Sequence, residues 1–415
     1  MIKYLKSIWN KIKEFPLWKK ICLVFLAIIY VGVLCICIIT VKVDSTTPGS
    51  VTRVNNVVHV NSDNTQGSIY TVSVYTENKV SLLQYLLNKQ NDYVDISLGE
   101  STTLQVYTEN EDYLSNVGYK QQSIQDSIIL AYSTAIQNGI DVTLNYNYKG
   151  EYLIHIPENL YKTTSNDFKN GDIVIKYNDK SITSSDEFTN YLKEDLNNAY
   201  YDGTSITSLY NDGRFDFFSD DETKNKENIK LTIDVFKKIN NENSENKFTV
   251  LRNGKELEIV PSRKLEFLLL THRLIKTSSE SDVIYSINDV NFSYYDIDYA
   301  KANPSIDISK TSSVGPSGGL MQTLAVYNAI TTSDITKGLR IMGTGGIKID
   351  GTVTPIGGEQ QKVVTANLYL ADIFFVPSKN YESAKKMYDT LKDTNMKIVS
   401  VSSFKEALDY LERME

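Results

Sequence analysis

Residues 343–364 read GTGGIKIDGTVTPIGGEQQKVV, and this stretch decides the fold of the C-terminal part of the chain. Asp350-Gly351 has the composition of a tight turn between two short apolar runs, so it predicts a β-hairpin. The hairpin leads into Gly357-Gly358. Lys362 then lies on the first turn of a predicted helix and is followed directly by two valines.

A second glycine-rich motif, Gly315-Pro316-Ser317-Gly318-Gly319, precedes the hairpin. Leu320, Leu324 and Tyr327 follow at helical spacing, which predicts a helix that begins at the motif and faces the core with these residues. Ser317 is then at a helix N-terminus, where free N–H groups and the positive end of the helix dipole stabilise an oxyanion.

Serine and lysine in this arrangement predict a hydrolase site. A serine hydroxyl is a weak nucleophile until a neighbouring base takes its proton, and a neutral lysine can act as that base. Each motif alone also fits a plain capping turn or a surface lysine. The order and spacing of the two motifs favour a Ser–Lys pair formed by Ser317 and Lys362.

The C-terminal segment alternates between predicted strands and helices and is of the α/β (α+β) class. Its further predicted elements are a strand over 371–376, a helix over 379–391, a strand over 397–401 and a last helix with a capping box from Ser403 to Glu406.

The order of these motifs resembles the proteolytic domain of Lon proteases, peptidase family S16, over residues 265–415. That family places the nucleophile in a Gly-Pro-Ser motif, a Thr-Gly pair on a following strand and the base in Pro-Ile-Gly-Gly-x-x-x-Lys. The resemblance implies that Ser317 is the nucleophile, that Lys362 is the general base and that the Thr344 hydroxyl orients the lysine. Gly315 and Gly318 are expected to support the turn around Ser317.

Residues 21–41 form an uncharged apolar run that is long enough to cross a bilayer as a helix. Six lysines precede it, at positions 3, 6, 11, 13, 19 and 20. The positive-inside rule predicts a single-pass anchor in the cell membrane, with a basic cytoplasmic segment over 1–20 and extracytoplasmic C-terminal domains. The alternative is a cleaved signal peptide, which is disfavoured by the length of the run.

Charge and cysteine content exclude several classes of protein. The net charge of -8 argues against a nucleic-acid binder, which needs a basic face. All three cysteines lie in the apolar run, so a cysteine protease, a disulfide framework and a Cys-ligated zinc site are excluded. The three histidines are scattered without metal-ligand spacing, and no metal site and no cofactor are expected.

Two segments are predicted between the apolar run and residue 142. Residues 42–68 are polar and are expected to form a linker. Residues 69–141 are expected to be an α/β extracytoplasmic segment. It has a strand over 69–75, a short helix over 80–89 and an amphipathic helix over 121–138 that ends at Gly139.

Residues 142–264 contain GDIVIKYNDKSI at 171–182 and VLRNGKELEI at 250–259. The second stretch is a hairpin, with Asn253-Gly254 as its turn. This order resembles a bacterial PDZ domain, a β-rich fold that adds a peptide strand to a sheet edge and holds its carboxylate in a loop. The resemblance places that loop at four residues: Gly150, Glu151, Tyr152 and Leu153.

Residues 199–246 are expected to be an insertion in this PDZ-like domain. Asp220-Asp221-Glu222 within it could form a calcium or partner site, and a solvated loop is the favoured interpretation.

The layout resembles bacterial membrane-anchored PDZ–Lon-like proteases. It implies an ATP-independent serine endopeptidase that cleaves extracytoplasmic or membrane-associated protein and peptide substrates, and it allows a homo-oligomer. No Walker motif is present. One alternative is a catalytically inactive membrane scaffold that binds peptide tails through the PDZ-like domain. Another is a nucleotide site at 343–346, which is disfavoured because a strand, not a helix, is predicted after it.

Overall fold

The structure is a computed structural model that describes residues 14–61, 66–97, 109–154, 168–216, 221–239, 245–260, 263–272, 290–309, 314–331, 333–392 and 394–414. The chain divides into two compact units, 1–49 with 74–100 and 50–73 with 101–415.

The first unit contains a long apolar helix, α1 (Leu17–Ile38), whose large apolar side chains are mostly exposed. Among the residues that the structure describes, α1 alone is long and apolar enough to cross a membrane, and its composition fits a membrane span or a signal sequence. A short antiparallel pair follows, formed by β1 (Thr40–Val41) and β5 (Val80–Ser81). Ser81 then caps helix α2 (Leu82–Asn88) in a capping box with Gln84.

Strands β2 (Asp44–Arg53) and β4 (Ser68–Glu77) run across the boundary between the two units. Within the first unit, residues 44–46 of β2 pair with β6 (Asp95–Ser97) in antiparallel register.

The first sheet of the second unit is mainly parallel and has the order β20-β19-β16-β4-β2. It contains β16 (Arg340–Gly343), β19 (Ile373–Pro377) and β20 (Lys397–Val401). β16 pairs in parallel with both β19 and β4, and Ile341 lies opposite Ile69. Parallel sheets need both faces covered, and helices cover both faces here.

On one face of this sheet, helix α8 (Gly319–Ile330) is buried along its whole length and packs against α3 (Glu109–Gln137). Helix α11 (Phe404–Arg413) packs on the same core. On the other face, α9 (Glu359–Leu368) and α10 (Tyr381–Tyr388) cover a core that includes Val72, Met342, Phe374 and Val376.

The second sheet is antiparallel, with the order β13-β12-β8-β7-β14 and with β9 (Lys180–Ser181) beside β8. Its strands are β7 (Tyr146–Leu153), β8 (Ile173–Tyr177), β12 (Phe248–Arg252), β13 (Lys255–Ile259) and β14 (Asn291–Ile297). Four helices share one hydrophobic core with it: α4 (Ser185–Leu196), α5 (Ile206–Asn211), α6 (Glu222–Ile239) and α7 (Arg263–Thr271).

The remaining strands form three antiparallel pairs. They are β3 (Val58–Val60) with β15 (Ile306–Ile308), β10 (Tyr200–Tyr201) with β11 (Thr204–Ser205), and β17 (Gly346–Ile347) with β18 (Val353–Thr354). Single 3-10 turns occupy Val54–Asn56 and Ser378–Asn380.

The expected α/β class and most of the C-terminal elements are confirmed. β20 covers 397–401 as predicted, and the Ser403 hydroxyl accepts a hydrogen bond from the Glu406 N–H at the start of α11. The turn between β12 and β13 has left-handed φ values at Asn253 (50°) and Gly254 (77°), the geometry expected of a type I′ turn.

The linker expected over 42–68 is wrong in its described part. β2, a 3-10 turn and β3 occupy most of it, and four valines are buried in the core: Val54, Val57, Val58 and Val60. Hydrophobic burial of these valines outweighs the polar composition between them, because their partners come from distant parts of the chain.

The solvated loop favoured for 199–246 is also wrong in its described part. α5 and α6 lie there, and their apolar residues pack into the core of the second sheet, among them Ile206, Leu209, Ile233 and Phe236. The described residues contain no group of three acidic, histidine or cysteine side chains that could hold a metal, and Asp220 lies outside them.

The sequence assigned everything after residue 264 to the protease segment. In the structure, Leu265 and Leu268 of α7 are buried in the core of the second sheet. Strand β14 pairs with β7 along seven residues, so this stretch completes the second sheet as well.

Candidate active site

The Gly315–Gly319 motif forms a turn directly before α8. Gly315 has φ +90°, a left-handed conformation that favours glycine, and its N–H donates to the Asn116 carbonyl at 3.1 Å. Ser317 is half-buried and lies two residues before the first residue of α8. The predicted position at a helix start therefore matches the observed one.

Thr344 connects this turn to the neighbouring strand. Its hydroxyl donates to the Ser317 carbonyl at 3.1 Å, and the Gly345 N–H donates to the same oxygen at 2.8 Å. Thr344 is 0% exposed, and its own N–H donates to the Phe375 carbonyl of β19 at 3.0 Å. These bonds fix the Thr344 hydroxyl beside Ser317.

Lys362 reaches the same hydroxyl from the other side. It lies on the first turn of α9, which follows Gly358 in the left-handed conformation with φ 68°. Its side chain is almost fully buried, and Nζ donates to Thr344 Oγ1 at 3.2 Å. Val363 and Val364 are buried next to it in the chain, as expected for an apolar setting.

The surroundings of Lys362 favour its neutral form. Burial lowers the pKa of its ammonium group from 10.5 to about 8, while the carboxylate of Glu359 acts in the opposite direction. Burial penalises a charged amine because the low-dielectric interior replaces its hydration. At pH 8, a large fraction of the Lys362 side chains is therefore uncharged and able to accept a proton.

Ser317 and Lys362 are linked through Thr344. Among the residues that the structure describes, Ser317 Oγ and Lys362 Nζ make no direct hydrogen bond. Proton transfer requires the two atoms to lie within hydrogen-bond distance of each other. Such bonds are often long without substrate and shorten in its complex.

The start of α8 also offers hydrogen-bond donors. Within the described part of the chain, the N–H groups of Ser317 and Gly318 have no protein acceptor. A Cβ atom at Gly318 would lie 2.9 Å from Cγ2 of Thr71, so a larger residue at this position requires Thr71 to shift. Free N–H groups at a helix N-terminus can bind an anion or an oxyanion.

The structure thus brings together Ser317, Lys362, Thr344, Gly315 and Gly318, the five residues that the sequence placed at one site. It does not join Gly150, Glu151, Tyr152 and Leu153 to that site.

The carboxylate loop expected at Gly150–Leu153 is instead a central part of β7. This stretch pairs with β8 on one side and with β14 on the other, so it offers no free edge. Glu151 is 0% exposed and accepts hydrogen bonds from Tyr148 Oη, Asn291 Nδ2 and Ser293 Oγ. A buried carboxylate is stable when its oxygens are hydrogen-bonded in this way, which accounts for an acid in the centre of the sheet.

The sequence missed the residues of α3 that contact the Ser317 turn, Asn116 and Ser123. Helical periodicity identifies the side of α3 that faces the core. It does not show which carbonyl groups the polar side chains on that side bond.

The two histidines that the structure describes take no part in this site. His59 is exposed on β3, the ring of His272 contacts Asn291, and His155 lies outside the described residues. The segment 343–346 leads into strand β17, and not into the helix that a dinucleotide-binding glycine motif requires.

Comparison with known proteins agrees with this geometry. Residues 285–412 match the family model of the Lon protease (S16) C-terminal proteolytic domain. The Lon protease of Campylobacter jejuni is 34% identical over 98 residues, which are 23% of this chain and 12% of that protein. Lon protease 2 of Borreliella burgdorferi is 32% identical over 149 residues, 35% of this chain and 18% of that protein.

The Lon protease of Lawsonia intracellularis is 29% identical over 147 residues, which are 34% of this chain and 17% of that protein. The matched segments therefore span less than one fifth of these three relatives. The match coincides with the segment that carries Ser317, Thr344 and Lys362. Residues 285–412 of the chain are thus similar to Lon protease (S16) C-terminal proteolytic domains.

Proposed function

We propose that the chain is a serine endopeptidase in which Ser317 is the nucleophile and Lys362 the general base. The observation that carries the proposal is the buried Lys362 amine, whose pKa is lowered to about 8 and which donates to Thr344 beside Ser317. A buried lysine next to a helix-start serine has the properties that an activated nucleophile requires. The S16 family match of this segment supports a peptidase.

The reaction begins when neutral Lys362 takes the proton from Ser317 Oγ as this oxygen attacks the peptide carbonyl. The oxyanion that forms accepts hydrogen bonds from the N–H groups at the start of α8. Protonated Lys362 gives its proton to the leaving amine, which leaves an acyl-enzyme on Ser317. Lys362, again neutral, then deprotonates a water molecule that attacks the ester, and it returns this proton to Ser317 Oγ as the acid product leaves.

We further propose that the enzyme is anchored by α1, that it acts outside the cytoplasm and that peptide hydrolysis needs no ATP. The lysine-rich segment before the apolar run 21–41 and the absence of a Walker motif in the 415 residues support these points. Substrates are then flexible segments or unfolded proteins, because the 415 residues contain no Walker motif of an ATP-driven unfolding motor.

The PDZ-like sheet is proposed to recruit protein substrates. Its strand and turn order supports this role, and β13 is the described edge of the sheet to which a peptide strand could be added. A competing peptide with a free C-terminal carboxylate should raise the apparent KM for an unfolded protein and leave hydrolysis of a short peptide unchanged. Equal effects on both substrates would contradict recruitment.

The test of the proposed reaction is peptide hydrolysis by the full chain in detergent. Ser317→Ala and Lys362→Ala should each reduce the rate to background without unfolding the protein. Lys362→Arg should fail as well, because arginine stays protonated. Exposed Lys348, on the hairpin after β17, is the matched control, and Lys348→Ala should keep activity within about threefold. Hydrolysis that survives in Ser317→Ala would favour the inactive-scaffold alternative, with the activity coming from a contaminant.

A further inference from the structure

The nucleophile turn is hydrogen-bonded to α3, a helix for which the proposed reaction assigns no role. Ser123 of α3 is 3% exposed, and its hydroxyl donates to the Pro316 carbonyl at 3.0 Å. The Asn116 carbonyl, two turns earlier, accepts the Gly315 N–H. Helix α3 therefore holds the backbone on the N-terminal side of Ser317.

The Pro316 carbonyl belongs to the peptide unit that contains the Ser317 N–H. A peptide unit is planar and trans, so its C=O and N–H bonds point in opposite directions. Holding the carbonyl oxygen toward α3 directs the Ser317 N–H away from α3, where the described residues provide no acceptor. Ser123 thereby sets the direction of a donor that the proposed reaction uses for the oxyanion.

The two carbonyls on either side of the Ser317 Cα are fixed from different elements. Ser123 bonds the Pro316 carbonyl, while Thr344 and Gly345 bond the Ser317 carbonyl. Together these bonds determine the backbone conformation of Ser317 and so the direction of its side chain. Removal of the Ser123 bond leaves only the turn bond from the Gly319 N–H at 3.1 Å on the Pro316 oxygen.

Helix α3 is itself held on its other side by the second sheet. Gln125 donates from Nε2 to the Ser293 carbonyl at 2.7 Å and accepts from the Tyr295 N–H at 3.3 Å. Its carboxamide therefore bonds the edge of β14 as a neighbouring strand would. Gln121 adds a bond to the Tyr294 hydroxyl at 3.1 Å. These contacts fix the position of α3, and with it the position of the Ser123 hydroxyl relative to the turn.

We propose that Ser123 is a positioning residue for the nucleophile, acting through the Pro316–Ser317 peptide unit. The inference depends on the proposed peptidase function. Ser123 touches neither substrate nor the reacting hydroxyl, so its removal changes the rate of the chemical step and leaves substrate binding and the base unchanged.

Ser127 is the matched control. It lies one turn further along α3 and is 0% exposed, and its hydroxyl is within hydrogen-bond distance of the Ser123 carbonyl at 2.6 Å and of the Gly319 carbonyl at 3.0 Å. The Gly319 carbonyl also accepts from Thr323 Oγ1 at 2.9 Å, and it lies inside α8 and not beside Ser317. Ser127→Ala and Ser123→Ala remove the same group from equally buried positions, so they should cost similar stability.

The experiment compares the full chain and these two variants in detergent, below their melting temperatures, by peptide hydrolysis across pH 6 to pH 10. Ser123→Ala should lower kcat tenfold or more, with KM within twofold of wild type and with the midpoint of the pH profile unchanged. Ser127→Ala should keep kcat within threefold. The rate of covalent labelling of Ser317 by a fluorophosphonate should fall in Ser123→Ala in parallel with kcat.

Three outcomes would overturn the inference while the wild type is active. The first is a wild-type kcat in Ser123→Ala, and the second is an equal loss of kcat in both variants, which would indicate a loss of packing only. A shifted pH midpoint in Ser123→Ala would also overturn it, because Ser123 would then act on the base. A wild-type chain without Ser317-dependent hydrolysis would instead contradict the proposed function, and the positioning role with it.

Discussion

The acid–base behaviour of Lys362 sets the pH range of the proposed reaction. Only the neutral amine accepts the Ser317 proton, and burial lowers the Lys362 pKa to about 8. We expect kcat/KM to rise about tenfold per pH unit below pH 8 and to level off above it. A pH profile of peptide hydrolysis measures this midpoint, and a rate that is flat between pH 6 and pH 9 would contradict the lysine base.

Glu359 offers a direct test of that midpoint. Its carboxylate raises the Lys362 pKa against the effect of burial, so Glu359→Gln should move the midpoint to lower pH. Glu382→Gln, at an exposed acid in the first turn of α10, is the control and should leave the midpoint in place. A shift in the alkaline direction in Glu359→Gln would be inconsistent with this electrostatic account.

Thr344 is expected to act through its hydroxyl, which joins Lys362 Nζ to the Ser317 carbonyl. Valine has nearly the same shape as threonine, so Thr344→Val removes both hydrogen bonds with little change in packing. At ~1 kcal/mol for each bond, kcat should fall about tenfold to a hundredfold. Thr344→Ser keeps the hydroxyl and should retain most of the activity. Equal losses in the two variants would point to packing of the methyl group.

Asp126 on α3 is a buried carboxyl whose pKa is raised to about 7, first by burial and also by the charge of Asp350. In the unfolded chain it ionises near pH 4. Because the folded-state pKa is the higher one, the stability that the neutral carboxyl contributes is present below pH 4 and is lost as the pH rises through 7.

Asp126→Asn should therefore be more stable than wild type above pH 7, by a few kcal/mol at ~1.4 kcal/mol per unit of pKa difference, and similar to it near pH 4. Urea unfolding of the full chain at several pH values measures the difference. Asp307→Asn, at an exposed carboxyl on β15, should show no such trend. A pH-independent effect of Asp126→Asn would contradict the raised pKa.

At the scale of single elements, a variant on β7 distinguishes a structural role of this strand from a peptide-binding role. Glu151 lies in the centre of its sheet with three hydrogen-bond donors around it. Glu151→Ala leaves these donors without their acceptor and should destabilise the protein by ~3 kcal/mol. Its melting temperature should fall, while KM for peptides stays constant below the transition. A raised KM with unchanged stability would restore the peptide-binding role predicted from the sequence.

Elements whose start or turn is determined by a few consecutive residues were predicted well from the sequence. Asn253-Gly254 determines its own turn through left-handed φ values, and Ser403 determines the start of α11 through its hydroxyl. The position of Lys362 on the first turn of α9 follows from Gly358 in the same local way. The chemistry of each of these sites is contained in a few consecutive residues, so no distant partner is needed to recognise it.

The elements that were missed depend on distant partners. β3 pairs with β15, which buries Val58 and Val60, and β2 pairs with β6. No local pattern in residues 42–68 shows that such partners exist, so the polar residues there suggested a linker. The hydrogen bond from Ser123 to Pro316 was missed for the same reason, because the sequence around a buried serine on a helix does not show which group accepts its hydrogen bond.

At the scale of the whole molecule, the sheet that carries the candidate site draws on separate parts of the sequence. β4 comes from residues 68–77, while β16, β19 and β20 come from the S16 segment 285–412. α3, which contacts the Ser317 turn, lies before the second sheet in the sequence. The second sheet is therefore formed by chain inserted between parts of the first, and a cut at residue 264 would leave β14 without β7.

The orientation of the whole chain in the membrane is the last prediction. Lysines are concentrated before the apolar run 21–41, and only Lys42 follows closely after it, so the N-terminus should stay in the cytoplasm. Cells without an outer barrier, treated with external protease, should lose a C-terminal tag and protect an N-terminal one. The reverse pattern would contradict the orientation. An N-terminal tag missing from the mature chain in untreated cells would show that α1 is a cleaved signal sequence and not an anchor.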